Sequence, residues 1–278
     1  MIIDFHTHIF PDKIASSAID ILSKKSGLVP QTNGTALDLQ NKTKDAKIDY
    51  SLILPVVTSP KQTKSINDFA ALINNDNINY PNLLSFGGMH PDYELYEEEL
   101  LRIKSLGLKG IKLHPQYQNT FIDDIRYQKI IGKAFELGLI VIIHAGIDIG
   151  IPGDVCATPQ RILNLYNNLN HKGIFVLAHM GSWLMWDEVY EKILGKDFYI
   201  DTAFSLNEAK QNNEIINLLK EENIKKFISK HGSNKILFGT DSPWANQKEY
   251  LDYMNNLNID KNDLNNILGL NAKRILNM

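Results

Sequence analysis

Short apolar stretches recur along the chain at nearly regular intervals, and amphipathic stretches separate them. Each apolar stretch is rich in Ile, Val, Leu and Phe, and most are nearly continuous, which is typical of parallel strands covered on both faces. Eight strands are predicted, at residues 2–8, 51–57, 83–89, 110–114, 139–145, 173–180, 198–203 and 235–241. Their average spacing is about 35 residues, close to the length of one strand–helix unit.

Helical patterns fill the intervals between the strands. They are predicted at residues 97–106, 127–137, 160–169, 207–229 and 263–276. Thr158 and Pro159 have the features of an N-cap and a first helical residue for the third of these helices. Eight units are the number that closes a parallel barrel, and no G-x-G-x-x-G follows the first strand, which disfavours an open nucleotide-binding sheet. The pattern predicts an α/β protein with a single (β/α)8 TIM-barrel domain over residues 1–278.

Composition narrows the classes of function. The 278 residues include 29 basic and 32 acidic side chains, a formal net charge of −3, so the basic balance of a dedicated nucleic-acid binder is missing. The one cysteine excludes an internal disulfide and suits a reducing compartment. No apolar run approaches the ~20 residues of a membrane span, and the N-terminus lacks the features of a signal peptide. We expect a cytoplasmic protein with a small-molecule substrate and no nucleic-acid or membrane partner.

Histidine positions give the strongest functional signal. Six of the eight histidines end predicted strands, namely His6, His8, His90, His114, His144 and His179. The other two, His171 and His231, precede strands and belong to the opposite rim. Active sites of α/β barrels are built at the carboxyl ends of the strands. The histidines therefore predict a site at that rim.

Imidazoles on three strands and a carboxylate on a fourth predict a metal site. His6 and His8 are two residues apart, so they share one face of the first strand. His144 and His179 end the fifth and sixth strands, and Asp241 ends the eighth. Each of these alone reads as an ordinary hydrogen-bonded polar residue. Together, imidazoles and a carboxylate converging on one rim match the ligands of Zn²⁺, Fe²⁺ or Mn²⁺.

The strings D-F-H-T-H, G-I-K-L-H-P, L-A-H-M-G and F-G-T-D-S-P-W resemble the metal-dependent amidohydrolase superfamily. They look like its amidohydrolase-related branch, which includes aminocarboxymuconate-semialdehyde decarboxylase, aromatic acid decarboxylases and dicarboxylate lactonases. The resemblance implies one divalent ion, Zn²⁺ as the first expectation, held by His6, His8, His144 and Asp241. It also implies that Asp241 and His179 are catalytic, with His179 beside the water on the ion or, with two ions, a ligand.

The fourth strand leaves alternatives open. Lys112 and His114 are two residues apart and share a face, so both can point inward. The resemblance implies either a carboxylated Lys112 bridging two metal ions or, with a single ion, contacts from Lys112 or His114 to an anionic substrate. A third alternative pairs a buried Lys112 with Asp4 or another carboxylate. We expect one ion.

Two further rim segments carry weaker signals. His90 is equally consistent with a substrate contact and with a loop hydrogen bond. Residues 145–153 have the glycines of an active-site loop, although glycines also serve ordinary turns.

These features support three functions. The first is a metal-dependent hydrolase that acts on a small anionic carbonyl substrate, an amide, lactone or ester. The second is a non-oxidative, metal-dependent decarboxylase of an aromatic or unsaturated carboxylic acid, with the same ligands. The third, from another class, is a non-catalytic metal-binding barrel. A divalent ion with neutral imidazoles and one carboxylate carries a charge of about +1, which favours a carboxylate substrate. The oligomeric state, including a homo-oligomer, stays open.

Overall fold

Eight parallel strands line the centre of the molecule. The computed structural model describes residues 1–169 and 172–278, so His171 lies outside the described residues. The strands are β1 Ile3–Thr7, β2 Tyr50–Ile53, β3 Leu83–Ser85 with a second segment Gly87–Gly88, β4 Gly110–Leu113, β5 Ile140–Ile143, β6 Phe175–Leu177, β7 Tyr199–Asp201 and β8 Ile236–Leu237. The first segment of β3 pairs with β2 and the second pairs with β4.

Backbone hydrogen bonds between the last strand and the first close the barrel. Neighbouring strands pair in parallel along the whole series from β1 to β8. Just beyond β8, the Phe5 amide donates to the Phe238 carbonyl and the Asp241 amide donates to the His6 carbonyl, each at 2.8 Å. The predicted (β/α)8 barrel is confirmed, and this closure brings His6 and Asp241 side by side.

The observed strands overlap all eight predicted ones but are mostly shorter, with two to five residues per paired segment. His114 and His144 directly follow β4 and β5, and His179 comes two residues after β6. The chain leaves the sheet at these points, so the three imidazoles stand at the rim of the barrel and not within its wall.

Helices cover the outside of the strands. They are α1 Asp12–Ser26, α2 Ala36–Asp45, α3 Thr63–Asn75, α4 Tyr96–Ser105, α5 Ile125–Glu136, α6 Pro159–Asn168, α7 Trp186–Lys192, α8 Glu221–His231, α9 Gln247–Asn256, α10 Lys261–Asn265 and α11 Asn271–Ile275. The predictions at 97–106, 127–137 and 160–169 are confirmed as α4, α5 and α6. The Thr158 side chain accepts a hydrogen bond from the Arg161 amide, which confirms the predicted N-cap of α6.

The helix predicted at residues 207–229 is wrong in its first half. Strands Glu208–Gln211 and Glu214–Asn217 form an antiparallel hairpin there, and only α8 is helical. Asn212 and Asn213 join the two strands with φ angles of 49° and 66°. Asparagine tolerates this left-handed conformation, which is the one that two-residue hairpin turns require.

The helix predicted at residues 263–276 is confirmed in outline. A π-helical turn, Asn266–Leu270, separates α10 from α11. Helix α11 contacts β1 and β8, and its Ala272 and Ile275 join a buried cluster with Phe5 and Leu237. Among the described residues, no helix combines the length and apolar character that crossing a membrane requires.

A larger cluster fills the layer between the strands and the surrounding helices. Ile111, Val141 and Ile143 from the strands pack in it with Ile130 and Phe227 from α5 and α8. Alternate residues of the same strands, such as Lys112 and Ile142, belong to the other face. The pleat therefore fixes which side chains can reach the interior of the barrel.

Candidate functional site

A cavity of about 480 Å³ opens at the carboxyl ends of the strands. Its polar lining includes most of the predicted site residues, namely His6, His8, Lys112, His114, His144, His179 and Asp241. His90 does not line this cavity. Its Nδ1 instead accepts a hydrogen bond of 3.1 Å from the Asp92 amide, so the structure favours the loop role for His90.

His6, His8 and Asp241 converge at the base of the cavity. The two Nε2 atoms are 3.2 Å apart, and Asp241 Oδ1 lies 3.3 Å from Nε2 of His6 and 3.1 Å from Nε2 of His8. The three ligand atoms lie within 4.8 Å of one another, a separation that could hold a metal ion. The predicted H-x-H pair therefore does project from β1 to one point.

The hydrogen bonds made by Nδ1 of these two imidazoles determine which nitrogen carries the ring proton, and therefore whether Nε2 can bind a metal ion. His6 Nδ1 lies 2.8 Å from Asp201 Oδ2, and His8 Nδ1 lies 2.7 Å from the Leu54 carbonyl oxygen. Both partners only accept hydrogen bonds, so in each neutral ring the proton is on Nδ1 and Nε2 has a free electron pair. Two free pairs and a carboxylate oxygen then face one another. This donor set fits a divalent cation, and the acceptors behind the rings orient them as metal ligands are commonly oriented.

Lys112 lies beside this group and is buried. Its Nζ is 3.3 Å from His6 Nε2. Burial lowers the pKa of Lys112 to about 8, an effect opposed by the charges of Asp201 and Asp241. Of the carboxylates that could pair with a buried Lys112, Asp4 is not the partner, because it accepts its side-chain hydrogen bonds from Thr240 and Gln247. Asp201 and Asp241 are the carboxylates whose charges act on Lys112.

His114, His144 and Asp148 form a second group on the next two strand ends. Their ligand atoms also lie within 4.8 Å of one another. The two rings stack at 4.2 Å with an interplanar angle of 9°. Burial lowers the pKa of both imidazoles well below the usual range, so both are neutral. The structure thus places His144 with His114 and Asp148, while His6, His8 and Asp241 form the other group.

His179 connects the two groups. Its ring centroid is 5.1 Å from that of His6 and 4.8 Å from that of His144. Its Nδ1 donates to the Ala203 carbonyl at 3.0 Å, so Nε2 has the free pair, which lies 3.0 Å from His144 Nδ1. His144 therefore carries its proton on Nδ1. Its Nε2 is buried without a hydrogen-bond partner among the described residues, as suits an unused metal ligand.

The backbone at two of these residues is strained. His179 and Asp241 have φ angles of 61° and 70°, in the left-handed region that residues other than glycine rarely adopt. Such conformations cost about 1–3 kcal/mol each and persist where the surroundings enforce them, often at functional sites. Asp201 supplies part of that enforcement, since its Oδ1 accepts hydrogen bonds from the His179 and Ala203 amides at 2.8 and 3.1 Å.

Sequence reasoning missed two supporting carboxylates, Asp201 and Asp148, and considered a third, Asp4, only as a partner of Lys112. Asp201 ends β7 and is fully buried, which raises its pKa, and it holds both the His6 ring and the backbone of His179. Asp4 joins β1 to the loop after β8 through Thr240, and burial raises its pKa to about 6. Asp148 lies in the predicted glycine-rich loop, and burial raises its pKa to about 6 as well. The position of Asp201 at the end of a predicted strand was the feature of the sequence that could have identified it as a site residue.

Most of the remaining lining of the cavity is apolar or aromatic. Its walls come from α1, the β5 loop and the segments after β6, β7 and β8, and they include Phe10, Ile21, Leu22, Leu28, Ile147, Ile149, Trp183, Phe204 and Trp244. Among the described residues, no arginine lines the cavity, and Lys112 is the one lysine that does. The cavity therefore combines one polar, cation-binding end with walls that suit a flat hydrocarbon framework.

The sequence was compared with protein-family models and with curated proteins. A family model described as Amidohydrolase matches residues 3–278. None of the curated proteins matches the sequence.

Solved structures match the fold over its whole length. A 2,6-dihydroxybenzoate decarboxylase from Rhizobium aligns with a TM-score of 0.71 and 18% identity over 99% of this chain and 98% of its own. A 5-carboxyvanillate decarboxylase from Novosphingobium aromaticivorans, complexed with manganese and 4-hydroxy-3-methoxy-5-nitrobenzoic acid, gives 0.70 and 14% over 100% and 96%. An uncharacterised TIM-barrel protein from Bordetella bronchiseptica gives 0.73 and 18% over 99% and 98%. At these identities the similarity establishes the fold.

Proposed function

The chain belongs to the amidohydrolase family, and on this basis we propose that it is a metal-dependent, non-oxidative decarboxylase of an aromatic or unsaturated carboxylic acid. The observation that carries the proposal is the cavity itself, with a cation-binding group at its base and aromatic walls above it. The decarboxylases among the solved structures support this reaction over the hydrolysis that we first expected. Membership of an enzyme family counts against a non-catalytic barrel.

His6, His8 and Asp241 would hold the ion. His144 is the proposed fourth ligand through its unpartnered Nε2, although its ring stacks in the neighbouring group with His114. When bound, a divalent cation there would neutralise and polarise a substrate carboxylate. Mn²⁺, which one structural neighbour binds, suits this mixed imidazole and carboxylate set as well as Zn²⁺ or Fe²⁺ does. Proposing one ion leaves Lys112 as a neighbouring positive charge for the anionic substrate.

His179 and Asp241 are the groups that we assign to proton transfer. Burial lowers the pKa of His179, so the ring is neutral near pH 7. Its Nε2, which accepts the hydrogen bond from His144 Nδ1, is the nitrogen that would take up and pass on a proton. Decarboxylation requires a proton at the carbon that bears the carboxylate. The carbon–carbon bond then breaks, its electron pair returns to the ring or alkene, and CO₂ leaves. One proton is consumed for each CO₂ released.

The aromatic walls of the cavity can position the substrate. Trp183, Trp244 and Phe204 surround the space above the polar base, and the Trp183 indole N–H is used in a hydrogen bond to the Phe204 carbonyl at 2.9 Å. These rings can hold a planar substrate by stacking and exclude water from the carbon that is protonated.

The proposal is tested with protein loaded with Mn²⁺ or Zn²⁺ and a panel of aromatic and unsaturated carboxylic acids. We expect CO₂ and the decarboxylated product in equal amounts for at least one acid, and neither product from Asp241→Ala. A parallel panel of lactones, esters and amides in ¹⁸O-labelled water tests hydrolysis. Incorporation of ¹⁸O into a cleaved product, with no CO₂ from any acid, would show that the protein is a hydrolase.

A further inference from the structure

Helix α1 contributes an apolar side to the cavity. Ala18, Ile21 and Leu22 line the cavity, and their spacing of three and four residues places them close together on the helix surface. The neighbouring side of the helix, with Ala15 and Ile19, is buried. Ile21 remains 55% exposed. The protein therefore covers the cavity-facing side of α1 only in part.

The loop after β5 supplies a second apolar wall beside this helix. Ile147 and Ile149 line the same cavity, and Ile147 is 38% exposed. A Cβ added at Gly150 would lie 3.9 Å from the Ser26 Cβ, so this loop approaches the end of α1 closely. The two elements border one apolar part of the cavity, called here the α1 compartment and formed by Ala18, Ile21, Leu22, Ile147 and Ile149.

The antiparallel hairpin holds the end of α1 in place. The Asn212 amide donates to the Gly27 carbonyl at 2.9 Å, and Gln211 Nε2 donates to the Ser26 carbonyl at 2.8 Å. These hydrogen bonds tie the C-terminal end of the helix to a segment that follows β7. The wall of the α1 compartment is therefore positioned before a substrate binds, which lowers the entropic cost of binding one.

The size of the cavity exceeds what a single aromatic ring fills. A cavity of about 150 Å³ is enough to enclose benzene, whereas this one has about 480 Å³. Among the described residues that line it, the acidic and basic side chains other than histidine are Lys112, Asp148 and Asp241. The α1 compartment includes none of these three, so it offers no cation to a second carboxylate. The remaining space suits an uncharged, apolar group.

We propose that the substrate is an acid with an apolar tail, an alkyl or aryl substituent that occupies the α1 compartment while the carboxylate lies at the polar end of the cavity. The inference rests on the proposed function and specifies its substrate class. The tail covers Ile21 and Leu22 and removes their apolar surface from water. A polar tail of the same length would lose its hydration without gaining a partner from these residues. Ile21 and Leu22 therefore select acids with apolar tails.

Equilibrium binding tests the compartment without turnover. The probes are benzoate, 3- and 4-butylbenzoate, and the methoxyethyl counterparts of the two butyl compounds, which have equally long tails with one ether oxygen. Dissociation constants are measured calorimetrically on Mn²⁺-loaded protein. Full burial of one methylene strengthens binding about fourfold, and the compartment is partly open, so we expect at least one butylbenzoate to bind about tenfold more tightly than benzoate. Its methoxyethyl counterpart should lose most of this gain.

Two isoleucines on α1 provide a matched pair of variants. Ile21→Asn places a polar group in the compartment, and we expect the tenfold gain from the butyl tail to fall to about threefold or less. Ile14 lies seven residues earlier on the same side of the helix, is 50% exposed and does not line the cavity, so Ile14→Asn should keep the gain. Leu22→Asn is a second variant within the compartment and should reduce the gain as well. Thermal unfolding and manganese content are measured for every variant.

The inference and the proposed function can fail separately. CO₂ release with no gain from a butyl tail, or with a gain that Ile21→Asn and Leu22→Asn both retain, would overturn the compartment and leave decarboxylation standing. A gain that depends on Ile21, without CO₂ release from any acid, would support the compartment and overturn the reaction. If none of the benzoates binds, the compartment is overturned and the wider acid panel decides the reaction. Light scattering is the last check, because a dimer that Ile21→Asn converts to a monomer would show that a second copy covers this side of α1, which also overturns the inference.

Discussion

Buried histidines occur at both ends of the barrel, and their ring nitrogens are used differently. His231 ends α8, just before β8, where its Nδ1 accepts from the Gly195 amide and its Nε2 donates to the Phe198 carbonyl, each at 3.1 Å. In His6 and His8, only Nδ1 is hydrogen-bonded to a protein acceptor, and the two Nε2 atoms face each other.

Burial does not separate these two kinds of histidine. His231 is 7% exposed, close to the 8% of His144. The difference is in the hydrogen bonds, because the structural histidine has a backbone partner for both nitrogens, whereas Nε2 of His6 and of His8 faces the other ligand atoms of the group. The predictions below test that distinction.

The largest effect is expected at the metal-binding end. Replacing His6 or Asp241 with Ala should reduce turnover by roughly 10³-fold or more, because each substitution removes a proposed ligand, and Asp241→Ala also removes a proton-transfer group. CO₂ release is measured beside the thermal unfolding curve, and we expect the barrel to stay folded. His231→Gln is the matched control and should keep its activity. Turnover like that of the natural sequence in purified Asp241→Ala would exclude the proposed site.

A second comparison concerns the backbone at the two ends of β5. Gly146, with φ +91°, follows β5 in the site loop, and an added Cβ would lie 2.2 Å from the Trp183 amide nitrogen. Gly138, with φ +74°, precedes β5, and a Cβ there would meet nothing within 4 Å. We expect Gly146→Ala to lower the unfolding free energy by about 3 kcal/mol or more, and Gly138→Ala by about 1 kcal/mol. Urea denaturation measures both, and equal losses would show that the close approach to Trp183 has no cost.

The carboxylate behind His6 should control metal affinity. In Asp201→Asn the amide can turn a donor toward His6 Nδ1, which moves the ring proton to Nε2 and blocks the ligand. We expect Mn²⁺ affinity to fall by about 10- to 100-fold. Asp197→Asn, an exposed substitution on a side chain paired with Lys235, is the control and should leave the affinity unchanged. Equal affinities in the two variants would contradict the role of Asp201.

His231 should make the free energy of unfolding depend on pH. Burial lowers the pKa of His231 from 6.5 to about 4, so between these values the unfolded chain binds more protons than the folded one. Its contribution to the unfolding free energy is therefore complete above pH 6.5 and is lost as the pH falls toward 4, by about 2 kcal/mol between pH 7 and 5. Urea denaturation at both pH values should show a smaller loss for His231→Gln. The same loss in both proteins would mean that this ring is not held neutral.

The periodic parts of the fold were predictable from sequence, because buried parallel strands leave continuous apolar runs. The hairpin around Asn212 and Asn213 was not recognised, because its strands are mostly exposed and carry no apolar run. An Asn-Asn pair between two short segments was the local signal for it.

The site was predictable where strand geometry alone decides it. The spacing of His6 and His8 guaranteed a shared face, and the barrel topology brought Asp241 next to them. The grouping of His144 with His114 depends on ring orientation after the strands end, which spacing does not determine. Asp148 and Asp201 were missed because a carboxylate in a loop or at a strand end looks the same whether it faces solvent or an imidazole.

The most direct test of the account is a titration of chelator-treated protein with Mn²⁺, following free Mn²⁺ by electron paramagnetic resonance. We predict one ion bound per chain, retained in His231→Gln and lost or greatly weakened in His6→Ala and Asp241→Ala. Absence of Mn²⁺ and Zn²⁺ binding to the natural sequence, or binding unaffected by both alanine variants, would contradict the claim that the free imidazole nitrogens of this rim form a metal site.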